Sequence, residues 1–464
     1  MASLVNMAAS TTSTCGRFLL LLAQEHVEFR LPELKALFSV CGKHLECNTG
    51  GSSDKGPFLV VLGTSEETIR KVMERTVSAK SAIELWGMGK THQELLASLK
   101  PQSEHIRQLC HPESSFKITI HTFNKTLQYN ERLQRIESLD VLPFNGRVDL
   151  KNPDHNFFLL EDYGLDPNNV PTDPLCLYFG RWLVDGQRDL LRSYSVKTRH
   201  FIGNTSMDAG LAFIMANHAR VQPGHLVCDP FVGTGSLLVA CARFGAFVMG
   251  SDIDYNTIHG LGKASRKNQK WRGPDENIRA NLRQYGLEQL YADVLVSDAS
   301  RPIWRPHQLF DAILTDPPYG IRESTRKIGS YGENGKVPDD VADNHIPDSR
   351  EYHLSDIFVD LLNFAAEYLV NGGRLVYWLP VFRPDYTEEI VPRHPCLKLV
   401  SNCEQMLNSQ SGRRLLTMQK IKDFEEVDRY AHMQDVRQNP YKGHNAFRDK
   451  YFSGLTKERA RECE

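Results

Sequence analysis

The stretch Leu226-Val-Cys-Asp-Pro-Phe-Val-Gly-Thr-Gly-Ser236 decides the fold. Leu226 to Asp229 read as an apolar strand that ends in a carboxylate, and Gly233 and Gly235 then let a ligand approach the backbone before a helix begins. Strand, glycine turn and helix open a nucleotide-type pocket. A polyphosphate does not suit it: the Gly-Lys-Ser/Thr of a phosphate loop is missing, and the third glycine of the dinucleotide fingerprint is missing too. Asp229 would repel phosphate and attract a cation, which fits the sulfonium and ammonium of S-adenosylmethionine. Downstream, Phe247 to Asp252 form a second strand ending in acid, about where a ribose-hydroxyl acceptor belongs, with Asp254 two residues on. A third strand, 293 to 297, leads to Asp298, which is placed to accept from an adenine amino group and also reads as a helix cap.

A fourth apolar strand, Phe310 to Thr315, leads into Asp316-Pro317-Pro318-Tyr319, at the carboxyl strand end where open α/β sheets place their chemistry. Two prolines fix φ at about -65° and carry no N–H, so the loop is stiff and its carbonyls are free to accept. A carboxylate and a carbonyl together hold the two hydrogens of an amino group, and Tyr319 offers a face to a flat base. The tetrapeptide resembles the Asp/Asn-Pro-Pro-Tyr/Phe signature of amino-methyltransferases, which methylate exocyclic nitrogens of bases. As a bare sequence it also reads as a plain turn. Glycine loop, acidic second strand and tetrapeptide in this order favour the enzyme.

With 464 residues the chain exceeds one ordinary core, and 41% hydrophobic with 24% charged residues describes a globular protein. Its formal net charge of -2 excludes a global positive field, so RNA binding has to rest on local basic patches or on a partner. The ten cysteines form no Cys-x-x-Cys pair and read as reduced residues of a cytoplasmic protein, with no metal site. The apolar run Phe18 to Leu22 is too short to span a membrane, and no basic residue precedes Arg17, so no signal peptide is expected.

The front of the chain alternates strand and helix over Arg17 to Leu99, which predicts a ferredoxin-like unit. From Ser115 the pattern restarts: an alternating strand at Phe116 to Phe123, a helix at Leu127 to Ser138, then Val148-Asp-Leu-x-Asn-Pro-Asp154 and an apolar strand ending at Asp162. This segment resembles a THUMP domain, the module with which several tRNA-modifying enzymes grip the acceptor end of tRNA. The resemblance makes Lys117, Lys125, Arg132, Arg135 and Arg147 candidates for phosphate contacts. Gly164 to Pro174 marks a linker. Further on, a helix is expected over 255 to 269, and Lys263, Arg266, Lys267, Lys270, Arg272, Arg279 and Arg283 form a basic run that reads as a solvated face or as an RNA contact. The polar stretch Ile321 to Ser349 predicts a long loop beside the tetrapeptide, and the tail beyond Lys420 has balanced charge, with Phe447 to Phe452 expected to pack on the core.

Across nearly its whole length the chain resembles the catalytic subunit of tRNA guanosine-10 N2-methyltransferases. Arg199 and Gly203-Asn-Thr-Ser-Met-Asp208 resemble the segment that closes over the methyl donor there, which makes Thr205 and Ser206 cofactor candidates; with Asp208 they read equally as a helix cap. The implied fold is α/β, a Rossmann-like class I methyltransferase domain preceded by an α+β ferredoxin-like and THUMP region. The expected divisions are 1–110, ferredoxin-like; 111–170, THUMP-like; 171–190, linker; 191–424, methyltransferase; 425–464, charged tail. The implied activity is methyl transfer from S-adenosylmethionine to guanosine N2 in tRNA, position ten coming from the resemblance alone. Rival readings are an adenine-N6 methyltransferase, for which a tRNA-gripping module has no purpose on DNA, and a non-catalytic RNA-binding relic, against which the intact motifs speak. The family also implies a small zinc-binding activator subunit that adds its strand edge to the methyltransferase sheet, here at the edge strand Ala292 to Val296. The alternative is an edge covered by the chain's own loop 270–290.

Overall fold

The computed structural model describes residues 16–48, 54–204, 206–266, 268–320, 325–329 and 349–438. Thr205, Lys267, most of the loop 321–349 and Phe447 to Phe452 lie outside them. The chain divides into two compact units, Met1–Arg188 and Asp189–Glu464.

In the first unit, β1 (Gly16–Leu22), β2 (Glu46–Asn48), β3 (Phe58–Thr64), β4 (Ala79–Gly89), β5 (Ser115–Phe123), β6 (Arg147–Val148), β7 (His155–Asp162) and β8 (Cys176–Asp185) join one sheet. Its order is β2-β3-β1-β4-β8-β7-β5-β6. Helices α1 (Val27–Val40), α2 (Glu66–Met73), α3 (His92–Leu99), α4 (Ser103–Leu109) and α5 (Tyr129–Glu137) connect the strands. The uninterrupted apolar run in β1 is explained by burial on both faces. Phe18, Leu20 and Leu22 pack with Leu34, Leu37, Ile69 and Met73, while Leu19 and Leu21 pack with Phe58, Ile83 and Tyr178. Caps start the helices as their sequences suggest: Ser65 Oγ accepts from Thr68 N at 3.3 Å, and Thr91 Oγ1 from Glu94 N at 3.2 Å.

The expected partition of this half needs correction. The stretch 171–190, expected as a linker, contains β8, an inner strand paired antiparallel with both β4 and β7. Trp86, Leu95 and Ile106 share one core with Phe116, Phe157 and Phe179, so the ferredoxin-like and THUMP-like regions are one body with no boundary at 110. Residues 164–174 are irregular, in keeping with their Pro- and Asn-rich composition, but Cys176 to Gly180 are buried by strands far away in sequence, which composition does not reveal.

The second unit holds β9 (Leu226–Asp229), β10 (Phe247–Asp252), β11 (Tyr291–Val296), β12 (Phe310–Thr315), the ribbon β13 (Arg326–Ile328) and β14 (Ser349–Glu351), β15 (Leu369–Phe382), β16 (Leu397–Met406) and β17 (Ser411–Lys420). Its helices are α6 (Asp189–Ser193), α7 (Ala209–His218), α8 (Ser236–Arg243), α9 (Tyr255–Ile258), α10 (Ile278–Gln284), α11 (Leu354–Tyr368) and α12 (Glu426–Gln438). The main sheet runs β11-β10-β9-β12-β15-β17-β16. The first five strands are parallel, and β17 is antiparallel to β15 and β16, the late hairpin expected from the sequence. Because the chain moves outward from β9 to β11 and then returns to β12 on the other side of β9, a crevice opens at the carboxyl ends of β9 and β12. Ile313, Phe358, Leu362 and Tyr377 form part of the core beneath it.

The helix expected over 255–269 is one turn only. Gly260 and Gly262 take φ of 64° and 88°, left-handed values that end the helix, and Lys263 then pairs with Trp271. The basic run is largely consumed locally. Arg266 donates to the Arg199 carbonyl, Arg272 to the Leu261 carbonyl at 2.7 Å, and Arg279 and Arg283 both bind Glu288 at 2.7 and 2.9 Å.

Candidate active site

Asp229 ends β9 and is only 3% exposed. Its Oδ1 accepts from the Thr315 hydroxyl at 2.7 Å and from Phe231 N at 3.1 Å. Thr315 is the last residue of β12, so this bond ties the first acidic strand end to the residue before Asp316. Burial pushes the Asp229 carboxyl up to about 7; the two hydrogen bonds oppose that rise, and the charges of Asp252 and Asp316 add to it.

The glycine turn is held from both sides. Gly233 (φ 47°) donates its N–H to Asp252 Oδ2 at 2.9 Å, and Asp252 Oδ1 accepts from Asp254 N at 3.0 Å. A Cβ at Gly233 would meet nothing within 4 Å, whereas one at Gly235 (φ 75°) would lie 2.7 Å from Ile278 Cγ2. Gly233 therefore opens onto space and Gly235 onto packed protein. On the other side stands the segment 199–208. Arg199, 1% exposed, donates to Ser236 Oγ at 2.8 Å and to the Tyr194 carbonyl at 3.0 Å. Ser206 exchanges a 2.6 Å hydroxyl bond with Thr234 and accepts from Gly203 N at 2.8 Å. Asn281 of α10 holds Phe201 at both its N–H and its carbonyl, at 2.7 and 2.8 Å.

The other candidates divide. Asp254 is exposed and caps α9, accepting from Asn256 N at 2.9 Å and the Thr257 hydroxyl at 2.7 Å; Asp208 caps α7 from 2.8 Å. Asp298 is 4% exposed, accepting from Ser300 N at 2.8 Å and Ile328 N at 2.6 Å, so it anchors the β13 ribbon.

At the tetrapeptide, Asp316 Oδ1 accepts from the Tyr319 hydroxyl, and Oδ2 pairs with Arg413 Nη1 at 3.1 Å. Burial raises the Asp316 carboxyl above the usual range while Arg413 and Tyr319 pull it back. Sequence reading missed Arg413, together with Thr315, Thr234, Ser236 and Asn281. One signal pointed to it: Arg413 and Arg414 are consecutive on an alternating strand, so the two arginines face opposite sides of the sheet and one must face inward.

These residues gather three carboxylates, Asp229, Asp252 and Asp316, around a turn with open space at Gly233. That donor set suits a cationic ligand with ribose hydroxyls, so S-adenosylmethionine fits the residues present. Among the described residues no His/Cys/Asp/Glu group suits a metal ion, and no helix is long and apolar enough to cross a membrane.

A Gallus gallus protein, tRNA (guanine(10)-N(2))-methyltransferase TRMT11, is 63% identical over 448 residues, 96% of this chain and 97% of that protein. The Homo sapiens protein of the same name is 60% identical over 456 residues, 97% and 98% of the two chains. This chain belongs to the tRNA (guanine(10)-N(2))-methyltransferase family. Two family models match it: the Tmrp11 THUMP N-terminal domain over residues 16–188 and the RMKL-like methyltransferase domain over 197–330. Among solved structures, TrmN from Thermus thermophilus aligns with a TM-score of 0.42 and 17% identity, covering 87% of this chain and all of that one. The first family match ends where the eight-stranded sheet's unit ends, and the second contains both Asp229 and the tetrapeptide.

In the first unit the RNA candidates also divide. Arg135 pairs with the fully buried Glu161 at 2.9 Å, and Lys125 donates to the Thr172 carbonyl at 2.7 Å and lies over the Tyr163 ring. Lys117 is half-buried on β5, while Arg132 and Arg147 are exposed. Of the five, these last two point most directly to solvent.

Proposed function

We propose that this chain is an enzyme that transfers a methyl group from S-adenosylmethionine to the exocyclic N2 of guanosine 10 in tRNA. The observation that carries the reading is the position of Asp316-Pro317-Pro318-Tyr319 at the end of β12, joined through Thr315 to Asp229 at the end of β9. The activity named for relatives that match nearly the full length supplies the base and its position, and disfavours the adenine-N6 and relic readings. When bound, S-adenosylmethionine supplies a methyl group on a cationic sulfur. Asp229 and Asp252 would hold its charged and ribose portions, Gly233 would leave room for it, and Ser206 and Thr234 close the turn beside it.

Guanine N2 is a poor nucleophile because its lone pair is delocalised into the ring. The Asp316 carboxylate and the Pro317 carbonyl accept its two hydrogens and stabilise the positive charge that develops on nitrogen, while Pro318 stiffens the loop. Tyr319, its hydroxyl held on Asp316, offers its ring face to the base. Positioning is the main contribution. A stem guanosine has to leave its stack to reach such a pocket, and the THUMP-containing unit, with Arg132 and Arg147 exposed, would hold the rest of the tRNA.

The partner reading is a small zinc-binding activator. Supporting it, β11 is the last strand on its side of the sheet among the described residues, and Val296 on β11 and Phe247 on neighbouring β10 are exposed. The loop 270–290 is engaged elsewhere, since Asn281 and Gln284 bond to the 198–201 segment. Among the described residues the eight cysteines form no disulfide, in keeping with work in the cytoplasm.

The test is incubation with labelled cofactor and separate tRNA, rRNA and DNA pools, followed by nucleoside mapping. N2-methylguanosine at position 10 of tRNA is expected, and Asp316→Ala should abolish it while cofactor affinity is retained. Turnover near wild type in that variant would refute the catalytic assignment. A soluble, monodisperse, tRNA-active preparation of the chain alone would rule out the activator as a requirement.

A further inference from the structure

Asp316 is held by a residue 97 positions away. Arg413 projects from β17, between β15 and the edge strand β16, and its side chain is 14% exposed. Three contacts fix its guanidinium. Nη1 reaches Asp316 Oδ2 at 3.1 Å, Nε donates to Gln405 Oε1 of β16 at 2.7 Å, and the planar group lies 3.9 Å from the centre of the Trp378 ring of β15. Trp378 is itself fully buried, with its indole N–H on Met215 Sδ at 3.1 Å, so the surface on which Arg413 stacks does not move freely. Neighbouring arginines are committed elsewhere: Arg383 and Arg414 both pair with Glu404, at 2.8 and 3.7 Å. Among the described residues Asp316 is the only carboxylate that pairs with Arg413.

The arrangement has a chemical consequence for the reading of Asp316 as the amine acceptor, on which this inference rests. A carboxylate in a half-buried loop, beside a second buried acid, gains from taking up a proton, and a protonated carboxyl offers a donor where an acceptor is needed. It is also free to rotate unless both oxygens are held. Here one oxygen is held by Tyr319 and the other by Arg413. We propose that Arg413 is a positioning residue for methyl transfer, which keeps the Asp316 carboxylate charged and in one orientation so that it accepts only from an amino group. The stacked, forked guanidinium suits this task better than an ammonium, whose charge has no plane.

The charged and titratable groups facing Asp316 are Tyr319 from its own loop, Arg413 from β17 and, beyond Thr315, Asp229 from β9. Of these only Arg413 is a cation, so its removal moves the proton affinity of Asp316 upward.

The experiment compares wild type, Asp316→Ala, Arg413→Gln and Arg413→Lys in the full chain, with the proposed activator subunit added, on tRNA, reading cofactor affinity by calorimetry, KM, kcat and the pH profile of kcat. Arg413→Gln should lose roughly a hundredfold in kcat. Its cofactor affinity and KM should stay near wild type, and the acid limb of its profile should move up by about one pH unit or more. Arg413→Lys, which keeps the charge and loses the fork and the stack, should keep the acid limb in place with a smaller loss of kcat. An unchanged kcat and acid limb in the glutamine variant would overturn the proposal, as would a loss confined to cofactor affinity or KM. If the glutamine variant does not fold, the lysine variant decides, and a wild-type kcat there rejects the proposal. Activity in Asp316→Ala would instead bring down the reading of the acceptor itself.

Discussion

Asp229 is a buried acid, and burial pushes its carboxyl well above the usual carboxylate range. A buried carboxyl at about 7 in the folded chain, against about 3.9 unfolded, binds more protons folded than unfolded between those two values. Its contribution is therefore fully present below about pH 4 and is lost as pH rises through about 7, a change of at most about 4 kcal/mol. Asp229→Asn removes the charge and keeps the acceptor for Thr315 and Phe231. The cofactor-free variant should accordingly melt higher than wild type at pH 8, with the gap closing towards pH 4. A pH-independent difference in melting temperature would show that the charge is not the cause. Asp252 has a different task, because both its oxygens brace the turn through Gly233 and Asp254. Asp252→Ala should weaken cofactor binding by about 1 to 3 kcal/mol in calorimetry. Unchanged affinity would exclude a role for it in the pocket.

The glycine turn shows at the scale of an element why two glycines of one motif are not equivalent. Both adopt left-handed φ, at a cost to any other residue of roughly 1 to 2 kcal/mol. Gly235 in addition lies against Ile278 of α10, where an added methyl overlaps a branched side chain with little room to move. Gly235→Ala should thus lower the melting temperature clearly more than Gly233→Ala. Gly233→Ala places its methyl in open space on the ligand side, so its effect should fall mainly on cofactor affinity. Thermal unfolding and calorimetry on the pair decide the matter, and the reverse ranking in melting temperature would contradict this geometry. The early end of α9 follows the same logic, since Gly260 and Gly262 outweigh the helical pattern of the charged residues around them.

For the whole molecule, the two compact units set where the chain can be cut. Cores and sheets are complete on each side of Arg188 and Asp189, so residues 189–464 should fold and bind cofactor yet fail to methylate intact tRNA. A cut at 168, which the Pro- and Asn-rich stretch suggests, leaves β8 without β4 and β7, an apolar strand with two open edges. The 168–464 fragment should aggregate where 189–464 stays soluble, as size-exclusion chromatography would show. Equal behaviour of the two fragments would mean that β8 is dispensable to its sheet. Full tRNA activity of 189–464 would assign the front half a structural role only.

The features legible in the sequence alone were those written in a few neighbouring residues. Gly233 and Gly235 need left-handed backbone, Pro317 and Pro318 set their own φ, and Asp229, Asp252 and Asp316 end apolar runs; each follows from local chain geometry. Strands 226–229 and 310–315 were bounded correctly for that reason. The tertiary structure decided which of these groups are already committed. Asp254 caps a helix, Asp298 pins a ribbon, and Lys125 and Arg135 serve the fold of the first unit. It also turned an apparent linker into an inner strand and brought Arg413 to Asp316. Pairings of this kind join groups tens of residues apart through burial and sheet register, and neither is written in the spacing of the residues they join.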